Sequence, residues 1–223
     1  AKGLRLGALS RHADIARSEV VQRHSPVLAS MAARVANPQV RNQGTLGGNL
    51  CYGDPSTDPP GCLLALGAQV VLASARGERV LPLEEFLVDY FTTAIEPDEL
   101  VVEVRVPPPV AGQEGLYTRF KRTAAEHRPL ASVSLVAVRE GALCREARIV
   151  VGASVPVPRR LPRAEDFLAG KAVTADVAAQ AADLVAADIE PISDLRGSDD
   201  YRREMVRVIA RRTIGQLFGL ATD

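Results

Sequence analysis

Apolar and polar positions change period several times along the chain, and each change predicts an element. Residues 100–106 alternate apolar and charged side chains, as a half-buried strand does, and shorter runs at 4–8, 69–73 and 79–81 predict three more strands. Arg76-Gly77-Glu78 supplies the turn between the last two. Helical spacing appears where Val27, Leu28, Met31 and Val35 follow Ser25-Pro26, a capping residue with proline at the first helical position. Asn37-Pro38 ends that helix, Ser10 is placed to cap a turn over 11–16, and 62–66 predicts a short helix. Pro107-Pro108-Pro109 and Ala111-Gly112-Gln113 form a linker-like break, where the domain boundary is expected. Three strands are expected beyond it, over 116–122, 131–139 and 145–152, with Glu140-Gly141 as a hairpin turn. Two helices follow: an alanine-rich one over 174–189, and a long one capped by Ser198 with Tyr201, Met205, Val208, Ile209 and Leu217 on one stripe. Strands followed by helices predict an α+β fold.

Composition narrows the function classes. With 223 residues, 47% of them hydrophobic, the chain buries a sizeable core. Lys plus Arg equals Asp plus Glu at 27 each, so no global field favours nucleic acid or an anionic membrane surface. The absence of Trp and 4% aromatic content argue against a base-stacking surface. Cys51, Cys62 and Cys144 are odd in number and widely spaced, which points to a reducing compartment and to no metal on this chain. No apolar run is long enough to span a bilayer and the start does not read as a secretory signal, so a soluble cytoplasmic protein is the simplest expectation.

Candidate chemistry concentrates between Gly44 and Asp58. In Gly44-Thr45-Leu46-Gly47-Gly48-Asn49, adjacent glycines stand between a hydroxyl and an amide. Such a bend can turn successive backbone N–H groups toward a phosphate, with Thr45 and Asn49 adding donors and Arg41 adding charge. The rival reading is a hairpin turn joining two strands. The spacing is neither that of a Walker loop nor that of a Rossmann fingerprint. Asp58 either accepts hydrogen bonds from a cofactor's hydroxyls or caps a helix beginning at Pro59. His12, His24 and His127 show no ligand spacing and are expected on helix surfaces or loops. Arg202, Arg203, Arg207, Arg211 and Arg212 are expected to form a solvated basic helix face, or a contact with a partner.

The longer string from Asn37 to Leu50, followed by Asp54-Pro55 and Asp58, resembles the second flavin loop of molybdenum hydroxylase FAD subunits, the xanthine and carbon monoxide dehydrogenase type. The resemblance continues through Leu63-Leu64-Ala65-Leu66-Gly67-Ala68, Phe86 to Phe91 and Pro97-Asp98-Glu99-Leu100. It extends through Phe120-Lys121-Arg122, Ala147-Arg148-Ile149 and the segment from Gly197 to Arg203. It implies the second lobe of a PCMH-type FAD-binding domain over 1–108, with the family's first lobe and its alanine-glycine-glycine loop absent from this chain. A C-terminal flavoprotein domain, an antiparallel sheet with helices, is implied over 113–223.

By the same resemblance, Thr45, Gly47, Gly48 and Asn49 bind the FAD pyrophosphate region, Asp58 holds a cofactor hydroxyl, and Cys51 and Tyr52 lie beside the flavin ring. Leu100 and Val101 match positions that pack against the cofactor, and Lys121 matches a lysine near the reduced ring. An ordinary buried strand and a snorkelling surface lysine are the plainer alternatives for those three. The implied activity is electron transfer, with molybdopterin on a large partner subunit and 2Fe-2S clusters on a small one, and with NAD, oxygen or a quinone as acceptor. No acid, base or nucleophile is implied on this chain. A scaffold that kept the fold without FAD, and a stand-alone flavin oxidoreductase, are the alternatives.

Overall fold

In the computed structural model, which describes residues 2–221, the first half of the chain wraps small helices around an antiparallel sheet. Ala1, Thr222 and Asp223, the outer ends of the two expected domains, lie outside the described residues. In chain order the first half contains β1 (Leu4–Gly7), α1 (His12–Arg17), α2 (Glu19–His24), α3 (Pro26–Ala32), α4 (Pro38–Gln43), α5 (Leu46–Tyr52) and α6 (Pro59–Ala65). Next come β2 (Gln69–Ser74), β3 (Gly77–Pro82), α7 (Leu83–Phe86), β4 (Leu87–Asp89), β5 (Thr92–Thr93) and β6 (Leu100–Val106). The second half contains β7 (Gln113–Phe120), β8 (Ala131–Glu140), β9 (Leu143–Gly152), β10 (Arg159–Arg160), α8 (Pro162–Leu168), α9 (Ala175–Ala187) and α10 (Asp199–Leu217). No described helix is long and apolar enough to cross a membrane.

The first sheet runs β1-β6-β2-β3, all neighbours antiparallel, and β4 and β5 pair as a separate two-stranded sheet. The alternation in β6 puts Val104 and Val106 into the core, and a register shift opposite Val71 and Leu72 interrupts it near the strand's start. That irregularity leaves Leu100 71% exposed while Val101 still packs against the core.

The second sheet, β10-β9-β8-β7, is also antiparallel, and β8 is buried on both faces. One face takes α3 and α6 from the first half; the other takes α8 and α10, with α9 packed on both of those helices. Accordingly Tyr117, Val136 and Val150 join the core of the first half, while Val133, Leu135 and Ile149 join that of the second. Gly61 brings α6 close to the sheet, against Ser134 and Val150. Burying Leu135 and Ile149 completely contributes about 1.5–3 kcal/mol each, before the entropy of ordering them.

Several local expectations change once packing is known. Asn37-Pro38 does not end the helix before it, since α3 stops at Ala32; the Asn37 side chain accepts from the Val40 amide and starts α4. Ser25 makes no capping bond, and the helix after Ser10 is capped by Arg11 without a side-chain bond, whereas Ser18, Thr174 and Ser198 do cap. The buried stripe of α10 is Val206, Ile209, Ala210, Thr213, Ile214 and Leu217; Tyr201 is 41% exposed.

The basic helix face is corrected as well. Arg202 is fully buried and donates to the carbonyls of Leu130 (3.0 Å) and Ala153 (2.9 Å) and to Asp194 (2.6 Å). Arg203 closes the end of α9 by donating to the carbonyls of Ala186 and Ile189 at 2.6 and 2.7 Å. Sequence spacing put both on a polar face, yet acceptors beside the second sheet and at the end of α9 draw their heads inward.

Candidate functional site

The glycine-rich stretch is neither an open bend nor a hairpin; it is the first turn of α5. Thr45 is the N-cap, its hydroxyl accepting from the Gly48 amide at 3.2 Å. The Leu46 amide donates to the carbonyl of Ser10 (2.9 Å) and the Gly47 amide to that of Ala8 (2.8 Å). The expected cradle of free glycine amides is therefore absent, because the chain itself accepts from them. Neither Gly47 nor Gly48 has positive φ; Gly53, at φ 63°, ends the helix instead.

The two glycines differ in what they make room for. A Cβ on Gly47 would stand 2.6 Å from Ala8 Cβ, so its small size serves packing inside the chain. Gly48 is exposed, and a Cβ there would meet only the Thr45 hydroxyl, at 2.8 Å. Leu46, Gly47 and Leu50 form the buried face of α5, and Gly48, Cys51 and Tyr52 face outward. Cys51 lies against the backbone N–H of Val101, and partial burial outweighs that contact and raises the thiol's pKa. Leu100 stands exposed in the next residue.

Two aromatics missing from the sequence-derived candidates complete this surface. Phe91 lies edge-on to Tyr52, with ring centres 5.2 Å apart at 77°, and Tyr90 packs edge-on to Phe91 at 4.6 Å. All three rings are exposed by 40% or more. The Phe91 amide donates to Gly53, docking the β4–β5 turn on the end of α5. The signal was the Tyr90-Phe91 pair between two short apolar segments; nothing local says that it meets α5.

Asp58 does not cap α6: it has helical backbone angles and makes no capping bond. Its buried carboxylate accepts from the Tyr117 hydroxyl, and Arg119 Nη1 donates to its two oxygens at 3.1 and 3.2 Å. Burial pushes the Asp58 carboxyl up, against the downward pull of Arg119, Tyr117 and Lys121. Burial and the neighbouring Asp58 charge push the Tyr117 hydroxyl up in turn. Asp54 is equally buried; it accepts from the Ser56 amide at 2.9 Å and pairs with Arg128. Lys121 is half-buried and donates to the Ala124 carbonyl at 2.9 Å rather than snorkelling freely.

His12, expected on a surface, is buried beneath this region. Its amide donates to the Gly44 carbonyl, its ring lies against Gly44, and its Nδ1 has no partner among the described residues. Burial lowers its pKa. No three His, Cys, Asp or Glu side chains converge as a metal site among the described residues.

The outward face of α5 offers room, polar side chains and apolar area for a flat cofactor. Gly48 leaves open the space a Cβ would fill, and Thr45 and Asn49 carry polar side chains on either side of it. Asn49 Oδ1 already accepts from Thr57 at 3.1 Å, which leaves its amide nitrogen to donate. Tyr52, Phe91 and Leu100 offer apolar area for a ring system.

Residues 1–109 match the family described as the FAD binding domain in molybdopterin dehydrogenase, and residues 116–217 match the CO dehydrogenase flavoprotein C-terminal domain. The chain is 35% identical to the 6-hydroxypseudooxynicotine dehydrogenase complex subunit alpha of Paenarthrobacter nicotinovorans, over 95% of this chain and 71% of the relative. It is 34% identical to the carbon monoxide dehydrogenase medium chain of Hydrogenophaga pseudoflava, over 94% and 72%. A solved carbon monoxide dehydrogenase from the same organism, lacking the Mo-pyranopterin moiety, superposes with a TM-score of 0.92 at 34% identity, covering 96% of this chain and 75% of that one. Quinoline 2-oxidoreductase from Pseudomonas putida 86 gives 0.92 at 32% identity, over 98% and 76%.

Proposed function

The chain belongs to the FAD-binding medium-subunit family of the molybdenum hydroxylases, the carbon monoxide and xanthine dehydrogenase type, and from that membership we propose that it is the electron-exit subunit of such a complex. It would stand between 2Fe-2S clusters on a small subunit and an external acceptor, with molybdopterin on a large subunit. When bound, FAD supplies the conversion between one-electron delivery and two-electron discharge to NAD, oxygen or a quinone.

The observation that carries this reading is the outward face of α5, where exposed Gly48 and Tyr52 line up beside exposed Leu100. In the proposal, the Thr45 hydroxyl and the Asn49 amide bind the diphosphate region through side chains. That differs from a main-chain clamp, since the amides of Gly47 and Gly48 are already bonded. Gly48 admits the cofactor; Gly47 supports it only by seating α5. Cys51, Tyr52, Leu100 and Phe91 orient the ring and exclude water, with Val101 as backing. Asp58 directs a cofactor hydroxyl, and Lys121 places positive charge nearby. No side chain here acts as acid, base or nucleophile.

Residues 1–108 as the second lobe of the FAD-binding domain, residues 113–223 as the C-terminal flavoprotein domain, and a cytoplasmic location are parts of the same proposal; the free cysteines fit a reducing compartment. The test is purification of the native assembly. Flavin, iron and molybdenum should copurify, and Gly48→Val should remove the flavin while leaving the other centres. A colourless, metal-free assembly, or full FAD content in Gly48→Val, would refute the reading.

A further inference from the structure

Residues 54–58, between α5 and α6, are gripped from the second half of the chain. Two buried carboxylates of this segment are each met by an arginine from beyond the Pro107-Pro108-Pro109 break: Asp54 by Arg128, and Asp58 by Arg119 with Tyr117. Between them the Ala153 amide donates to the Pro55 carbonyl at 2.9 Å. The single hydroxyl hydrogen of Thr57 is shared between the Asp54 carbonyl at 2.9 Å and Asn49 Oδ1 at 3.1 Å, which ties the segment to α5.

We propose that Arg119, Tyr117 and Arg128 are positioning residues for the cofactor face of α5: they fix the segment 54–58, and Thr57 passes that restraint to Asn49. The inference rests on the flavin reading of that face. A buried ion pair adds little net stability over an apolar substitute, but it fixes direction. Direction is what a hydrogen-bonding site requires, because donors must be held near productive geometry by groups behind them. Thr57 fixes the oxygen end of the Asn49 side chain, and both amide hydrogens remain to be presented. The second half of the chain is thereby a working part of the site, although Asn49 itself lies in the first.

The test uses the purified complex, at a temperature well below each variant's unfolding midpoint. FAD dissociation and the visible circular dichroism of bound FAD are the readouts. Arg128 has a side chain 54% exposed, so Arg128→Gln removes the partner of Asp54 without emptying a core position. FAD should leave about tenfold faster than from wild type, with an altered dichroism band, and Arg128→Lys should recover part of the loss. Thr57→Val should give a similar loss, and the double variant no more than the larger single effect, because both act on one restraint. Arg163→Gln, which breaks the exposed pair with Asp188, should match wild type. Wild-type retention in both Arg128→Gln and Thr57→Val overturns the proposal, as do additive losses or equal loss in Arg163→Gln. A wild-type complex without FAD overturns the flavin reading itself and this inference with it; normal loading in wild type confines any failure to the positioning role.

Discussion

The Gly47 amide donates to the Ala8 carbonyl at 2.8 Å, and a Cβ on Gly47 would stand 2.6 Å from that of Ala8. The first turn of α5 is therefore seated on the residue that follows β1. Gly47→Ala should cost about 1–3 kcal/mol through overpacking against backbone. Gly48→Ala should change stability by no more than about 1 kcal/mol, since helix propensity gained offsets a weakened Thr45 cap. Flavin retention should show the reverse emphasis at Gly48. Urea denaturation of both variants checks the order, and equal stability losses would contradict it.

His12 makes the same region sensitive to acid. Its pKa is lowered by burial, so the unfolded chain binds the proton more readily than the folded one. The stabilising contribution is complete above the ordinary imidazole value of about 6.5 and is lost as pH falls below it. The urea midpoint should drop more between pH 7 and pH 5 in wild type than in His12→Gln. Parallel curves would remove His12 as the cause.

Arg202 holds the loop before α10 to the second sheet through the carbonyls of Leu130 and Ala153. Arg202→Met leaves the buried Ala153 carbonyl without its donor, the Leu130 carbonyl with Ser154 alone and Asp194 without its guanidinium, and should cost about 3–5 kcal/mol. Arg203→Ala opens only the end of α9 and should cost about 1–2 kcal/mol. Chemical denaturation distinguishes them; a loss under about 1 kcal/mol in Arg202→Met would mean that water replaces the guanidinium.

Tyr52 is half-exposed, with Phe91 edge-on to it, so Tyr52→Ala should cost about 0.5–1.5 kcal/mol of stability. Its larger effect is expected on the acceptor side of the proposed site. Opening the ring's shield should speed reoxidation of the reduced complex by oxygen about threefold or more. Stopped-flow mixing with oxygen measures this, and an unchanged rate would take Tyr52 out of the flavin's surroundings.

Much of this was legible in the residues themselves. The alternation in β6, the apolar β8 and the serine before α10 each report their own element, because period and capping act over a few residues. The string from Asn37 through Asp58 likewise carries the family resemblance without any coordinates. Other features depend on partners far along the chain. Thr45 and Gly48 contain an N-cap in their own spacing, but only the carbonyls of Ser10 and Ala8 decide that the amides of Leu46 and Gly47 are spent internally. Asp58 had the local form of a cap, yet Tyr117 and Arg119 claim its carboxylate from β7. Arg202 had the form of a surface charge, yet Leu130 and Ala153 draw it inside. Local spacing determined the elements and the location of the chemistry; tertiary packing decided which polar groups remain free, since hydrogen bonds are satisfied by whichever donors and acceptors the folded chain brings within reach.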